Sequence, residues 1–412
     1  MPAPASVHRP PAALHLPNTV SRRRRGGRRR YAGLLALIGL AAAAGCAADG
    51  GETSGRLTQA EYDAMPVLAL EPEVVLCTNR EDPPCQFANA GIVAAGRDGR
   101  LAVADLWGEF RQFDAHGAFV RNLGREGGGP GEYRGAMAAA YDSSLTLSVF
   151  EQGSRQVVRF DSTGAAAGFW TAPRLPGTLA VRMLRDRALY FVLPGAAVIG
   201  DTVEARIVSI GAPGSDTATL ARFPLPALAT GDGSLIPPRA IFTTGPERLW
   251  AVAPDGAVYL ADVARLRIDR VDGVRRTIVD GDVAPRPVTD AELDSARARL
   301  VRIPSRMPAA MAAEMRRQAE ASIAAAPSTH PLIADLVALD DGTLWAREYE
   351  STDADSVRWN AFTPDGRPIG RLMLSTRGRI VAGTSERLLV VTHDAFDVPI
   401  VGWYVVRGGG GE

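Results

Sequence analysis

Along most of the chain, apolar residues alternate with polar ones in runs of four to six, and turns rich in Asp and Gly separate the runs. Alternation of that period predicts short half-buried strands joined by tight turns. One unit recurs six times: a polar turn, a leucine, then alternating apolar residues. Its clearest copies are Asp98-Gly99-Arg100-Leu101-Ala102-Val103 and Asp341-Gly342-Thr343-Leu344-Trp345-Ala346. The leucines Leu101, Leu145, Leu189, Leu249, Leu344 and Leu388 stand 44, 44, 60, 95 and 44 residues apart. An all-β pattern repeating every roughly 40–50 residues predicts a β-propeller with one unit per blade. The expected fold is therefore all-β, a six-bladed β-propeller.

The first unit shows how a blade is built. Apolar stretches begin at Ile92, Leu101, Phe110 and Phe119, with turns at Asp98-Gly99, Gly108-Glu109 and His116-Gly117, which gives four antiparallel strands. The third turn recurs as Phe113-Asp114-Ala115-His116-Gly117, Phe160-Asp161-Ser162-Thr163-Gly164 and Phe362-Thr363-Pro364-Asp365-Gly366. Glycine there supplies the positive φ of a tight hairpin, and the aromatic supplies packing between blades. The 60-residue interval contains a Gly-, Pro- and Ala-rich stretch, residues 211–233, expected to be an extended loop.

The 95-residue interval reads as an insertion. Thr289-Asp290-Ala291-Glu292 is a capping box, followed at helical spacing by Leu293, Ala296 and Leu300. After Pro304 a second helix is expected from about Pro308, with Met311, Met315, Ala319 and Ile323 on one stripe. A helical hairpin at about 289–326, between blades 4 and 5, is the result. It reads either as a cap burying its apolar stripe on the propeller rim or as a lid or docking element. The last unit is one strand short, so residues 73–77 are expected to pair into the sixth blade and close the ring.

The first 45 residues read as an address. Eight arginines precede an apolar run over residues 31–44, too short to span a membrane, which ends in Ala43-Ala44-Gly45-Cys46. Small residues directly before a cysteine resemble a bacterial lipobox, making Cys46 the expected lipidation site; a plain secretory signal is the alternative. Residues 46–66 are then a flexible tether, 67–407 the propeller and 408–412 a disordered tail. Eight of the 46 basic residues and none of the 46 acidic ones precede Cys46, leaving 38 against 46 and a net charge of −8. An acidic domain argues against a nucleic-acid partner. Every basic residue is arginine, which excludes Schiff-base chemistry and a phosphate-loop lysine. Cys77 and Cys85 flank a Pro-Pro turn and read as a local disulfide outside the cytoplasm, with two free thiols or a metal pair as the rival reading.

The stretch Leu123-Gly124-Arg125-Glu126-Gly127-Gly128-Gly129-Pro130-Gly131-Glu132-Tyr133 resembles the Gly-Pro-Gly-Glu-aromatic loop of bacterial six-bladed propellers related to NHL-repeat domains. Pro287-Val288-Thr289-Asp290-Ala291-Glu292 and the unit from Asp341 to Tyr349 fit the same pattern. The resemblance covers nearly all of residues 67–407 and implies a secreted or lipid-anchored propeller of uncharacterised function. It brings no catalytic residues with it.

Candidate chemistry is sparse. The glycine-rich loop lacks a Gly-Lys-Ser/Thr ending and follows a strand, so it reads as a blade crossover, with Arg125 and Glu126 as ligand-facing candidates. After Cys46 the only histidines are His116, His330 and His393, in none of the spacings of a zinc site or a serine triad. Calcium needs oxygen ligands alone, and Asp105, Glu151, Asp262, Glu348 and Asp394 each follow a repeated strand or its neighbour. They serve either as turn residues or as a calcium cluster of the kind found in propeller lactonases and arylesterases. The favoured expectation is a non-enzymatic binding or scaffolding lipoprotein of the cell envelope, at the outer membrane, with a protein, peptide or glycan partner and no cofactor. A calcium-dependent hydrolase or lyase is the alternative.

Overall fold

A computed structural model describes residues 56–77, 81–106, 108–192, 198–199, 202–226, 249–262, 264–300, 308–324, 326–350 and 354–408. It is a six-bladed β-propeller. The first two blades and the fifth are four-stranded antiparallel meanders, built for example from Ile92–Ala95, Leu101–Ala104, Phe110–Phe113 and Phe119–Leu123. The innermost strands of neighbouring blades lie side by side around the axis. The second strand of each blade is buried on both faces, because alternate residues feed two different blade interfaces. In blade 3, Leu189 and Phe191 pack toward blade 4, whereas Ala188, Tyr190 and Val192 pack toward blade 2. Six apolar clusters fill the six interfaces and form the core.

The sixth blade joins both ends of the chain. Leu68–Val75 is its outermost strand, paired with Pro399–Gly408 from Leu68↔Gly408 to Val75↔Gly402. The closing strand was expected at residues 73–77; it begins five residues earlier and stops before Cys77. Cys77 and Cys85 are bonded, with their Cα atoms 5.1 Å apart.

Several expectations need correction. The tether does not extend through 56–66. Leu57–Thr58 adds a parallel strand to blade 4 against Gly281 and Asp282, and helix α1 (Gln59–Asp63) follows, capped reciprocally by Thr58 and Glu61. Val67 then bridges to Arg371 of blade 5. This segment straps the rim across blades 4, 5 and 6, because Tyr62 and Met65 are large enough to be drawn into the interface between blades 4 and 5. Residues 1–55, including Cys46, lie outside the described residues, as do 409–412. Gly408, assigned to the tail, is in the last strand.

Residues 211–226 are not simply a loop: Ala218–Pro226 is a strand of blade 3, paired along Thr202–Ile210, and 227–233 lie outside the described residues. The fourth leucine copy is out of step. Leu249 precedes the innermost strand, Trp250–Val252, and the second strand of blade 4 is Val258–Ala261 after Asp255-Gly256. Val258 therefore takes the place assigned to Leu249, which moves nine residues from the long later interval to the earlier one. Leu145 lies in a turn at φ 63°, and Leu147 leads its strand.

Helices α2 (Asp290–Leu300) and α3 (Ala309–Ala324) lie in the chain between the last strand of blade 4 and the first of blade 5, and they pack on each other. Ala296, Ala312, Ala319 and Ile323 are buried, but Met311 and Met315 are exposed. Of the expected stripe, Ala319 and Ile323 are thus on the buried face, whereas Met311 and Met315 are not. Glycine is required at one hairpin in particular. Gly366 has φ 87°, and a Cβ there would stand 1.8 Å from the carbonyl oxygen of Ile278 in blade 4. Gly366→Ala is expected to cost about 2–4 kcal/mol, through the left-handed backbone and the displaced strand. A urea titration compared with wild type checks this.

Candidate functional site

Because every blade has the same strand order, all second strands end on one face of the propeller. That face also carries the connections from the outermost strand of one blade to the innermost of the next. Asp105, Glu151, Asp262, Glu348 and Asp394 all stand at or just past second-strand ends, in blades 1, 2, 4, 5 and 6. The periodicity thus placed them on one face, but each is engaged within its own surroundings.

Asp105 accepts the backbone N–H groups of Ala88 (3.0 Å), Asn89 (2.8 Å) and Ala90 (2.9 Å), pinning the approach to the first inner strand. Glu151, 8% exposed, accepts the Ser154 hydroxyl at 2.7 Å. Asp262 accepts the N–H of Ala264 at 2.8 Å and faces the Arg265 guanidinium at 3.5 Å. Asp394 accepts the N–H groups of Phe396 and Val398, each at 2.9 Å, within a hairpin turn. Glu348 accepts the Tyr62 hydroxyl and the Asn360 amide (2.9 Å), with Arg358 at 3.4 Å. Among the described residues no three His, Cys, Asp or Glu side chains are grouped to hold a metal ion.

The glycine-rich connection between blades 1 and 2 is internally braced. Arg125 pairs with Glu132 at 2.6 Å, Glu132 also accepts the N–H of Gly129 at 2.8 Å, and Glu126 N–H donates to Glu109 at 3.2 Å. Tyr133 donates its hydroxyl proton to the Leu123 carbonyl and accepts the Phe110 N–H, locking the crossover at its base. Arg125 and Glu126 are exposed beside it.

Three further features leave little trace in the sequence. His330, 2% exposed, lies 3.1 Å from Glu292 and stacks on Tyr349 at 5.2 Å. Glu292 also pairs with Arg286 at 2.9 Å and accepts the N–H and hydroxyl of Thr289, each at 2.9 Å. Burial opposes ionisation at Glu292, but the Thr289 N–H, His330, Arg286 and the Thr289 hydroxyl outweigh it and bring the carboxyl to about 2. This cluster fastens the start of α2 to blade 5; the capping box was the only part of it visible in sequence. Glu350 carries the opposite perturbation, raised by burial and by the neighbouring Glu348.

At the innermost strands, Arg182 of blade 3 donates to the Trp250 carbonyl of blade 4 at 2.8 Å and lies 4.4 Å over its ring. Arg379 of blade 6 donates to the Gly91 carbonyl (2.9 Å) and the Ala90 carbonyl of blade 1, and burial pulls its guanidinium below its usual value. Blades 3 and 6 are opposite one another in a six-membered ring, so these arginines tie two opposed inner seams. On the rim of the face, Phe396 is 86% and Leu106 is 45% exposed, on second-strand loops of the adjacent blades 6 and 1.

The arrangement defines a six-bladed β-propeller whose loop face is held by local carboxylate and arginine contacts. A solved structure agrees at the level of fold. A member of the duf4221 family from Bacteroides vulgatus superposes with a TM-score of 0.50 at 8% identity, covering 83% of this chain and 99% of that one. A "putative exported protein" from Bacteroides fragilis gives 0.48 at 14% identity, over 82% and 95%. A gluconolactonase from Xanthomonas campestris gives 0.38 at 15% identity, over 76% and 85%. No protein-family profile and no curated protein matches the sequence. Among the described residues no helix is long and apolar enough to cross a membrane.

Proposed function

We propose that this chain is an exported propeller, lipid-anchored at Cys46, that acts as a non-enzymatic binding or scaffolding module. Its partner is a protein, peptide or glycan, met on the face where the second strands end. The observation that carries this reading is the engagement of Asp105, Glu151, Asp262, Glu348 and Asp394 by nearby backbone and side-chain donors. Carboxylates held in five separate places brace loops; a calcium-dependent hydrolase needs several converging on one ion. The exposed Phe396 and Leu106 give that face apolar contact area beside polar groups, the composition of a partner-binding surface. On this reading α2 and α3 form a hairpin inserted between blades 4 and 5, fastened by Glu292 and His330, and the envelope is its compartment.

Metal content and thermal melting of the purified Cys46→Ala chain test the proposal. The expected result is no bound calcium and the same melting temperature in calcium and in chelator. A stoichiometric calcium that raises the melting temperature would sink the scaffold reading in favour of a hydrolase or lyase. The anchor is tested separately by fatty-acid labelling, expected in wild type and lost in Cys46→Ala.

A further inference from the structure

We propose that the Cys77–Cys85 disulfide is a redox-sensitive latch on the propeller ring. It fastens the closing strand of blade 6 to blade 1, and its reduction frees the end of that strand, from Val74 to Leu76, while the other blades stay closed. The inference goes beyond the binding role proposed above and holds whichever partner the loop face receives.

The first argument is where the two cysteines are moored. Cys77 ends the segment that closes blade 6: Leu68–Val75 pairs with Pro399–Gly408, and the Leu76 N–H donates to the Val401 carbonyl at 2.9 Å. Cys85 stands in a segment fixed to blade 1. Arg111, in the third strand of that blade, donates to the carbonyls on either side of it, Pro84 at 3.2 Å and Gln86 at 2.8 Å. Its guanidinium also lies 4.6 Å over the Phe87 ring, which meets the Phe113 ring at 6.2 Å. Asp105 then holds the N–H groups of Ala88, Asn89 and Ala90. The bond therefore crosses the seam between blades 6 and 1, and it is a shorter covalent path than the step of 8 residues along the chain. A shorter path raises the effective concentration of the strand at its pairing site.

The second argument is how thinly the closing strand is held. None of the residues of Leu68–Val75 is buried, and its register slips between Pro72 and Val74. Its ion pairs, Glu71 with Arg407 and Glu73 with Arg387, are exposed and contribute little. At its far end the strand is secured by the strap, where Arg371 of blade 5 donates to the carbonyls of Pro66 (2.8 Å) and Asp63 (3.0 Å). The end near Cys77 relies on Leu76, 3% exposed among residues of blades 6 and 1, and on the disulfide. Cys77 has φ 60°, a conformation that a residue with a Cβ resists, so release relaxes it. Both cysteines are partly exposed and within reach of a dithiol reductant. A thiolate of the reductant attacks one sulfur, the S–S bond breaks, and the other sulfur leaves as thiolate. The second thiol then displaces the mixed disulfide. The reductant ends as a disulfide, and its protons and electrons end on Cys77 and Cys85. The same seam separates the exposed Phe396 of blade 6 from Leu106 of blade 1, so its state sets their spacing.

Amide hydrogen exchange of the full Cys46→Ala chain, oxidised and after dithiothreitol, tests the latch, with thiol titration to confirm reduction. Amides from Val74 to Leu76 are expected to exchange roughly tenfold faster or more once the bond is reduced. Those of Leu147–Glu151 in blade 2 and Val258–Ala261 in blade 4 are expected to stay unchanged, and reoxidation restores the first rate. Unchanged exchange at Val74–Leu76 in the reduced protein overturns the proposal. So does an acceleration shared equally by blades 2 and 4, which makes the bond a general staple rather than a latch. A bond that dithiothreitol leaves intact in the folded protein overturns its redox sensitivity. The double variant Cys77→Ser, Cys85→Ser is expected to exchange as the reduced protein does and to ignore dithiothreitol. Should that variant not fold, the oxidised and reduced forms of the one chain decide.

Discussion

Tyr62→Ala is expected to destabilise the protein by about 3–5 kcal/mol, the cost of removing a large buried aromatic from a packed interface. Tyr62 is 4% exposed and packs with residues of blades 4 and 5. Its hydroxyl donates to Glu348 and accepts from the Asn360 amide at 2.7 Å, so truncation also leaves two polar groups short of a partner. Burial and the adjacent Glu348 carboxylate push the phenol far above its usual pKa, so it stays a neutral donor throughout the working pH range. Tyr62→Phe separates the two contributions: it keeps the ring and is expected to cost about 1–2 kcal/mol. Denaturant unfolding of both variants decides. Near-identical losses would mean that the hydroxyl contacts, rather than packing, hold the strap.

Asp269→Ala is expected to destabilise the protein measurably and in a pH-dependent way. The Asp269 carboxylate is 2% exposed in blade 4 and is held by Arg267 at 3.0 Å, Arg275 at 2.6 Å and the Thr277 hydroxyl at 2.7 Å. Deleting it removes the buried acceptor of two partly exposed guanidinium groups and of the Thr277 hydroxyl, which costs about 1.5–3 kcal/mol for charge-assisted contacts of this kind. Burial works against its charge, but the Thr277, Arg267 and Arg275 contacts outweigh that and lower its pKa in the folded state. Its contribution is therefore complete above the ordinary aspartate value of about 3.9 and is lost as pH falls through the lowered folded value. Unfolding measured between neutral and acidic pH should show a steeper acid loss in wild type than in Asp269→Ala. Parallel curves would remove Asp269 from the acid response.

The blades were legible because their period is set by local chemistry. Asp-Gly turns need positive φ, as at Gly99 and Gly342, and second strands buried on both faces need unbroken apolar runs. Where a turn achieves its shape without glycine, register was lost, as at Leu145. Blade 4 was misread because Leu249-Trp250-Ala251-Val252 imitates a second strand while occupying the innermost place. The strap was missed because its segment is short and polar, and Tyr62 and Met65 are its only buried residues among Arg56 to Pro66. The five acidic positions were visible as a recurrence, yet only coordinates show that each is claimed nearby. Long-range pairings such as His330 with Glu292 and Arg379 with the Ala90 and Gly91 carbonyls have no periodic trace, since they join residues the repeat does not relate.

The pairing of Leu68–Val75 with Pro399–Gly408 has a consequence for how the molecule comes into being. Contacts such as Glu71 with Arg407 join residues 336 positions apart in the chain. A strand made near the start of synthesis must wait, its edge open, for nearly the whole chain to arrive. Five blades can assemble in order, but the last seam closes only when the C-terminal strand is delivered, which makes completion slow and dependent on an intact end. A chain truncated before residue 399 would keep most of its blades and lose the ring.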